Sequence, residues 1–196
     1  MTRTTRYKTI QGGALIALVG LVFLIAYLSD WNGYVVLVTA LVLFVPGRIQ
    51  GRYYRDLHHG RKALEVGDCA ASVRYTTAFL DAIRTRPALK KLLWLSGAIY
   101  TPDAEAMALN NIGSAHLPCG RFDEAEAAFA SALHVDPLYP LPFFNLAILS
   151  QVRGDEVESA RLLGEAQRLG YTRGSLDQVI HRAQAILSHV EGRDVE

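Results

Sequence analysis

The side chains best suited to chemistry in this chain are its six histidines and two cysteines. His58 and His59 are neighbours, so on a helix they point to different sides and do not form a metal-binding i, i+4 pair. Cys69 and Cys119 are too few for a disulfide framework, and their separation matches no metal or redox motif, which favours a reducing compartment. Nucleophile-elbow, phosphate-loop, dinucleotide and zinc-protease motifs are absent. We therefore expect no enzymatic activity, no metal, no cofactor and no small-molecule substrate.

The charge balance argues against nucleic acid as a partner, because 20 basic and 19 acidic residues give a net charge of only +1. Hydrophobic residues make up 51% of the chain and are concentrated before Pro46. Uncharged runs extend over residues 9–28 and 34–45. About 20 apolar residues are enough for a helix to cross a bilayer. The pattern therefore predicts a transmembrane hairpin over residues 1–48, with helices at about 9–28 and 34–49. The lipid bilayer is accordingly a predicted partner.

Basic residues before and after this segment place both chain termini in the cytoplasm by the positive-inside rule. The 16 arginines against 4 lysines are compatible with a bacterial genome rich in G and C, so the predicted location is an integral protein of a bacterial inner membrane. Gly13, Ala17 and Gly20 form a stripe of small residues on the first helix. Such a stripe packs closely against another helix, either the second helix of the hairpin or a partner's helix.

An internal repeat appears when residues 106–139 are laid over 140–173 with an offset of 34. Asn111 then meets Asn145, and Gly120 meets Gly154. Within the first unit, two sets of residues recur with helical spacing: Leu109, Ile112 and His116, and then Ala125, Phe129 and Ala132. Each unit is therefore predicted to be a pair of amphipathic helices joined by a glycine turn.

The segments Asn110-Asn-Ile-Gly, Gly120-Arg-Phe-Asp-Glu-Ala and Asp136-Pro137 resemble the tetratricopeptide repeat. The resemblance implies an all-α fold in which antiparallel helical hairpins stack into a solenoid with a C-terminal capping helix. The expected divisions after the membrane hairpin are a juxtamembrane helix or linker at 49–71, a degenerate unit at 72–105, repeats at 106–139 and 140–173, and the capping helix and tail at 174–196.

The same resemblance implies a groove for a peptide or helix of a partner protein. Its lining positions would be Met107, Asn110, Asn111, Ser114, Leu141, Phe144, Asn145 and Ile148. The amides of Asn111 and Asn145 can pair with peptide N–H and C=O groups, or they can tie adjacent helices together. The apolar residues of the set fit either an apolar ligand segment or burial against the capping helix. The basic clamp of the members that bind chaperone tails is missing, because Asn110, Leu141 and Asn145 occupy its positions.

The sequence thus predicts a membrane-anchored scaffold or adaptor that recruits or assembles partner proteins through a cytoplasmic groove. The alternative is an accessory or assembly subunit of a larger membrane enzyme or transporter, docked through the transmembrane hairpin. Enlarging the small residues of the first helix would disrupt the second kind of association, whereas changing groove residues would disrupt the first.

Overall fold

The computed structural model describes residues 3–30, 32–86 and 100–193, and this part of the chain is all-α, without strands. Its helices are α1 (Arg3–Leu28), α2 (Gly33–Glu65), α3 (Cys69–Thr85), α4 (Ala104–His116), α5 (Phe122–Val135), α6 (Pro140–Val152), α7 (Glu156–Arg168) and α8 (Leu176–Arg193). A 3₁₀ turn, Leu117–Cys119, follows α4. Successive helices from the second half of α2 onward pack as antiparallel hairpins, α2 with α3, α4 with α5 and α6 with α7, and α8 packs on α6.

The prediction of an integral membrane location is wrong. Among the helices described, none is both long enough and apolar enough to cross a membrane. The apolar runs share their helices with charge: α1 begins at Arg3, and α2 continues through Pro46 and Arg48 to Glu65. The second run is therefore the first part of a 33-residue helix and not a separate hairpin arm.

The second half of α2 and helix α3 form the first hairpin of the repeat region. Gly67 turns the chain with a φ of +80°, and the Asp68 side chain caps α3 by accepting a hydrogen bond from the Ala71 N–H at 2.8 Å. The two helices approach closely at Gly60, where an added Cβ would lie 2.9 Å from Thr76 Oγ1. The segment predicted as a juxtamembrane helix or linker, 49–71, is helical up to residue 65. The second helix predicted for the unit at 72–105 falls on residues 87–99, outside the described residues.

Helices α4 and α5 form the second hairpin, in which a large ring fills the space beside a glycine. Phe129 is fully buried, and a Cβ added to Gly113 would lie 2.5 Å from its ring. Asp103 caps α4 through hydrogen bonds from the backbone N–H groups of the first turn. Gly120, with a φ of +72°, makes the turn that leads into α5.

The third hairpin, α6 with α7, begins at Pro140, whose ring is preorganised for the first turn of a helix. Ser159 on α7 is fully buried and donates a hydrogen bond to the Ala147 carbonyl on α6 at 2.9 Å. Helix α8 covers the open side of this hairpin, because Val179 is buried in the same apolar cluster as Ile148.

A disulfide joins Cys69 at the start of α3 to Cys119 in the 3₁₀ turn, with their Cα atoms 6.4 Å apart. The expectation of unpaired cysteines in a reducing compartment did not foresee this bond. The two cysteines are 50 residues apart in sequence, and the packing of α3 on α4 brings them together. Spacing along the sequence cannot reveal such a pair, because the contact is made by the tertiary fold.

Candidate protein-binding cleft

Two adjoining cavities follow the side of the molecule formed by α2, α4, α6 and α8. The first, of about 460 Å³, lies between α2, α3 and α4, and the second, of about 520 Å³, lies between α4, α6 and α8. Leu64 and Ser114 line both cavities. The cavities are therefore contiguous, and we call them together the cleft.

The first cavity has a polar rim above apolar side chains. Tyr54 and Leu57 of α2 supply apolar surface, and Tyr54 is held by its ring contact with buried Phe79, with the centroids 5.9 Å apart. His58 and Arg61 follow on the same face of α2. The residues that complete the lining are hydroxyl and amide side chains: Ser72, Thr76, Asn111 and Ser114.

The second cavity has a more apolar floor. Apolar residues from four elements form this floor: Leu64, Leu117, Pro118, Ile148, Ala185 and Ile186. Asn145 lies beside Ser114, and α8 adds Arg182 and His189. The cleft thus continues past the last hairpin onto α8.

A hydrogen-bond network connects α4 with α6 at the middle of the cleft. The Asn145 side-chain amide donates to Asn110 Oδ1 at 2.9 Å and to Ser114 Oγ at 3.2 Å. Ser114 Oγ in turn donates to the Asn110 carbonyl at 2.9 Å. Asn110 and Asn145 are both buried. The amide N–H groups of Asn145 are therefore engaged in tying helices together, whereas Asn111 is half-buried and faces the first cavity.

The structure brings Asn111, Ser114, Asn145 and Ile148 of the predicted groove residues into the lining of the cleft.

The other four predicted groove residues lie elsewhere among the described side chains. Asn110 is buried behind Asn145, and Met107 packs against the apolar cluster between α3 and α4. Phe144 is 1% exposed and contacts the Tyr171 ring, with centroids 4.7 Å apart. Leu141 is half-buried and lines neither cavity.

Gly13, Ala17 and Gly20 are exposed on α1 and take no part in the cleft. A Cβ added at Gly13 or Gly20 would meet no described atom within 4 Å. The described structure therefore does not bring another helix against this stripe.

Sequence reasoning missed the contributions of α2 and α8 to the cleft. Residues 49–71 were interpreted as a juxtamembrane helix or linker without any groove residue, although Tyr54, Leu57, Arg61 and Leu64 recur with the spacing of one helical face. That spacing was the available signal. Helix α8 was interpreted as a cap, and no pattern in its sequence separates a cap from a helix that also lines a cleft.

His116, at the end of α4, lies next to the floor residue Leu117. The side chain is 8% exposed, and its Nδ1 is buried without a hydrogen-bond partner. Burial lowers the pKa of His116 below the ordinary value of 6.5, nearby Arg121 lowers this pKa further, and Glu124 opposes the shift. His116 is therefore a neutral, structural side chain near neutral pH.

The cleft has the features of a surface that binds a polypeptide, namely an elongated apolar floor and a rim of amide, hydroxyl and cationic donors. Comparison of the chain with protein-family models and with curated proteins finds no match in either case.

Proposed function

We propose that the chain is a protein-binding scaffold of the tetratricopeptide type whose cleft holds a peptide or helix of a partner protein. One observation carries the proposal. Asn111 and Asn145, equivalent positions of two units 34 residues apart, line the first and second cavities of one continuous cleft. A binding surface built by stacking equivalent helices has this arrangement, because each unit contributes the same face.

The packing supports the assignment of residues 106–173 to two units of this family. The small residues expected where paired helices approach are buried: Gly113, Ala125, Ala132 and Ala166 are all at or near zero exposure. Glycines with positive φ, Gly120 and Gly154, make the equivalent turn in each unit. The buried small residues and the glycine turns thus support the assignment of these residues to two such units.

The cleft can contribute binding free energy through its floor and orientation through its rim. Leu64, Pro118 and Ile186 are partly exposed and supply the apolar surface of the floor, while Asn111 and Ser114 keep polar groups at the rim. A ligand that covers the floor gains about 25 cal/mol for each Å² of apolar surface removed from water. Side chains that are already held in place lose little entropy when they bind.

Peptide selection tests the proposal directly. Random twelve-residue peptides displayed on phage are selected on the immobilised full chain, and the affinities of the selected peptides are measured by fluorescence anisotropy. Ala185→Trp fills the second cavity from an exposed position on α8, and we expect it to weaken binding at least tenfold. The matched control is Ala160→Trp, an exposed position on α7 that lines neither cavity. The proposal fails if no peptide is selected or if both variants bind like the wild type.

The alternative expectation, an accessory subunit docked through a transmembrane hairpin, depends on helices that cross a membrane and is not proposed.

A further inference from the structure

The two arginines that line the cleft, Arg61 in the first cavity and Arg182 in the second, face no carboxylate within the described lining. The first cavity is lined by His58 and Arg61 and the second by Arg182 and His189, and none of the described residues that line either cavity is Asp or Glu. The chain as a whole is balanced, with 20 basic and 19 acidic residues. The absence of carboxylates from this lining is therefore a local feature of the cleft and not a consequence of composition.

Arg182 is the group best able to bind a ligand carboxylate, because it lacks a carboxylate partner among the described residues. Its guanidinium carbon lies 5.5 Å from the centroid of the Phe144 ring, and that ring is 1% exposed and fixed in the core. The arginines of α7 differ, since Arg161 pairs with Glu158 and Arg168 with Glu165. The guanidinium of Arg182 is thus positioned by an aromatic face and retains N–H donors for a planar acceptor.

Arg61 provides a second cation in the other cavity. It pairs with Glu65 at 3.2 Å, one turn along the same helix, and both side chains are largely exposed, at 75% and 61%. An exposed i, i+4 pair contributes little to stability, because water and salt screen it. A ligand carboxylate can therefore replace or share this contact at little cost.

Apolar surface separates the two arginines. Leu64 belongs to both cavities, and Leu117, Ile148 and Ile186 continue the floor toward Arg182. A neutral ligand lying over this floor would take water from the Arg182 guanidinium without replacing the lost hydrogen bonds, which is costly. A carboxylate would replace them with charge-assisted, bidentate hydrogen bonds.

We infer that the partner segment is an acidic amphipathic peptide, with apolar side chains on the cleft floor and carboxylates that pair with Arg182 and Arg61. The inference rests on the proposed function and adds the chemical class of the partner. Polypeptide carboxylates fit these sites better than nucleic-acid phosphates, because the floor is apolar and the net charge of the chain is only +1.

The test uses three labelled twelve-residue peptides in which Leu alternates with Glu, Gln or Lys, bound to the full-length chain and followed by fluorescence anisotropy. We expect the Glu peptide to bind at least tenfold tighter than the Gln peptide, and the Lys peptide to bind most weakly. Raising NaCl from about 50 to 500 mM should weaken the binding of the Glu peptide much more than that of the Gln peptide, because salt screens exposed charges.

Arg182→Gln should reduce the affinity for the Glu peptide about tenfold. It should not weaken the binding of the Gln peptide, because the cost of desolvating the guanidinium is removed with the charge. The matched control is Arg173→Gln, which removes the same charge from an exposed position that lines neither cavity. Circular dichroism verifies that both variants are folded.

Two further outcomes separate the inference from the proposed function. Equal binding of the Glu and Gln peptides, with both blocked by Ala185→Trp, would overturn the acidic partner and leave the cleft as a binding site. Equal effects of the two arginine variants would also overturn the inference. Failure of all three peptides to bind would overturn the inference, whereas the proposed function is overturned only if the selection from random peptides also yields no binder.

Discussion

Loss of the Cys69–Cys119 disulfide should destabilise the repeat region strongly. The bond closes a loop of 50 residues between the start of α3 and the turn after α4. The loop-closure entropy for that length is about 14 cal/mol/K, which corresponds to about 4 kcal/mol at 298 K. For a cooperative unit of roughly 140 residues, a loss of this size lowers Tm by about 14 °C.

Thermal and urea unfolding of the full chain, with and without a reductant, measure this effect through circular dichroism at 222 nm. The control is the double variant that carries both Cys69→Ser and Cys119→Ser. The Tm of this variant should be low and should not respond to the reductant. Intact mass after alkylation without reduction reports whether the thiols are paired. Alkylation of both cysteines in the oxidised, native protein, or a Tm that is insensitive to reductant, would refute the reasoning.

The remaining predictions concern packing and protonation. Gly113→Ala should lower the unfolding free energy by about 1–3 kcal/mol, because its Cβ would lie 2.5 Å from the Phe129 ring. The control is Gly164→Ala, whose Cβ would meet nothing within 4 Å and which should be neutral or stabilising. Urea unfolding midpoints compare the two variants, and equal shifts would contradict the packing of Phe129 on Gly113. Ser159→Ala should cost about 1 kcal/mol through its lost buried hydrogen bond, measured in the same way, with an unchanged midpoint as the contrary result. Because burial lowers the pKa of His116 in the folded state, the unfolded state binds more protons below pH 6.5. The unfolding free energy should therefore fall as the pH drops from 6.5 toward the folded-state pKa of His116. His116→Leu should flatten this pH dependence, and an unchanged slope would refute the assignment.

Local patterns predicted the repeat helices because their determinants are local. The offset of 34 located the hairpins α4–α5 and α6–α7, and Gly120 and Gly154 located their turns. Asn111, one of the predicted groove residues, lines the first cavity of the cleft, and its role in binding stays a prediction. The helix-tying role of Asn145 was left open, and it depends on Asn110 and Ser114 of the neighbouring hairpin.

Other features depend on tertiary contacts or on helix continuity that sequence periodicity does not encode. The helix predicted at about 34–49 and the helix or linker predicted at 49–71 form one continuous helix, α2, as far as Glu65. Because α2 is continuous, Arg61 lies on the same helix as the second apolar run and lines the first cavity of the cleft. The disulfide and the position of Arg182 over Phe144 likewise arise only when α3 and α8 pack on their neighbours.

The central claim is that the partner lies along the first helices of the stacked hairpins. Hydrogen–deuterium exchange of the full chain, with and without a saturating peptide selected on it, tests this claim directly. The account predicts slower exchange in the second half of α2 and in α4, α6 and α8, with α5 and α7 unchanged. Protection confined to α5 and α7, or to α1, would contradict it.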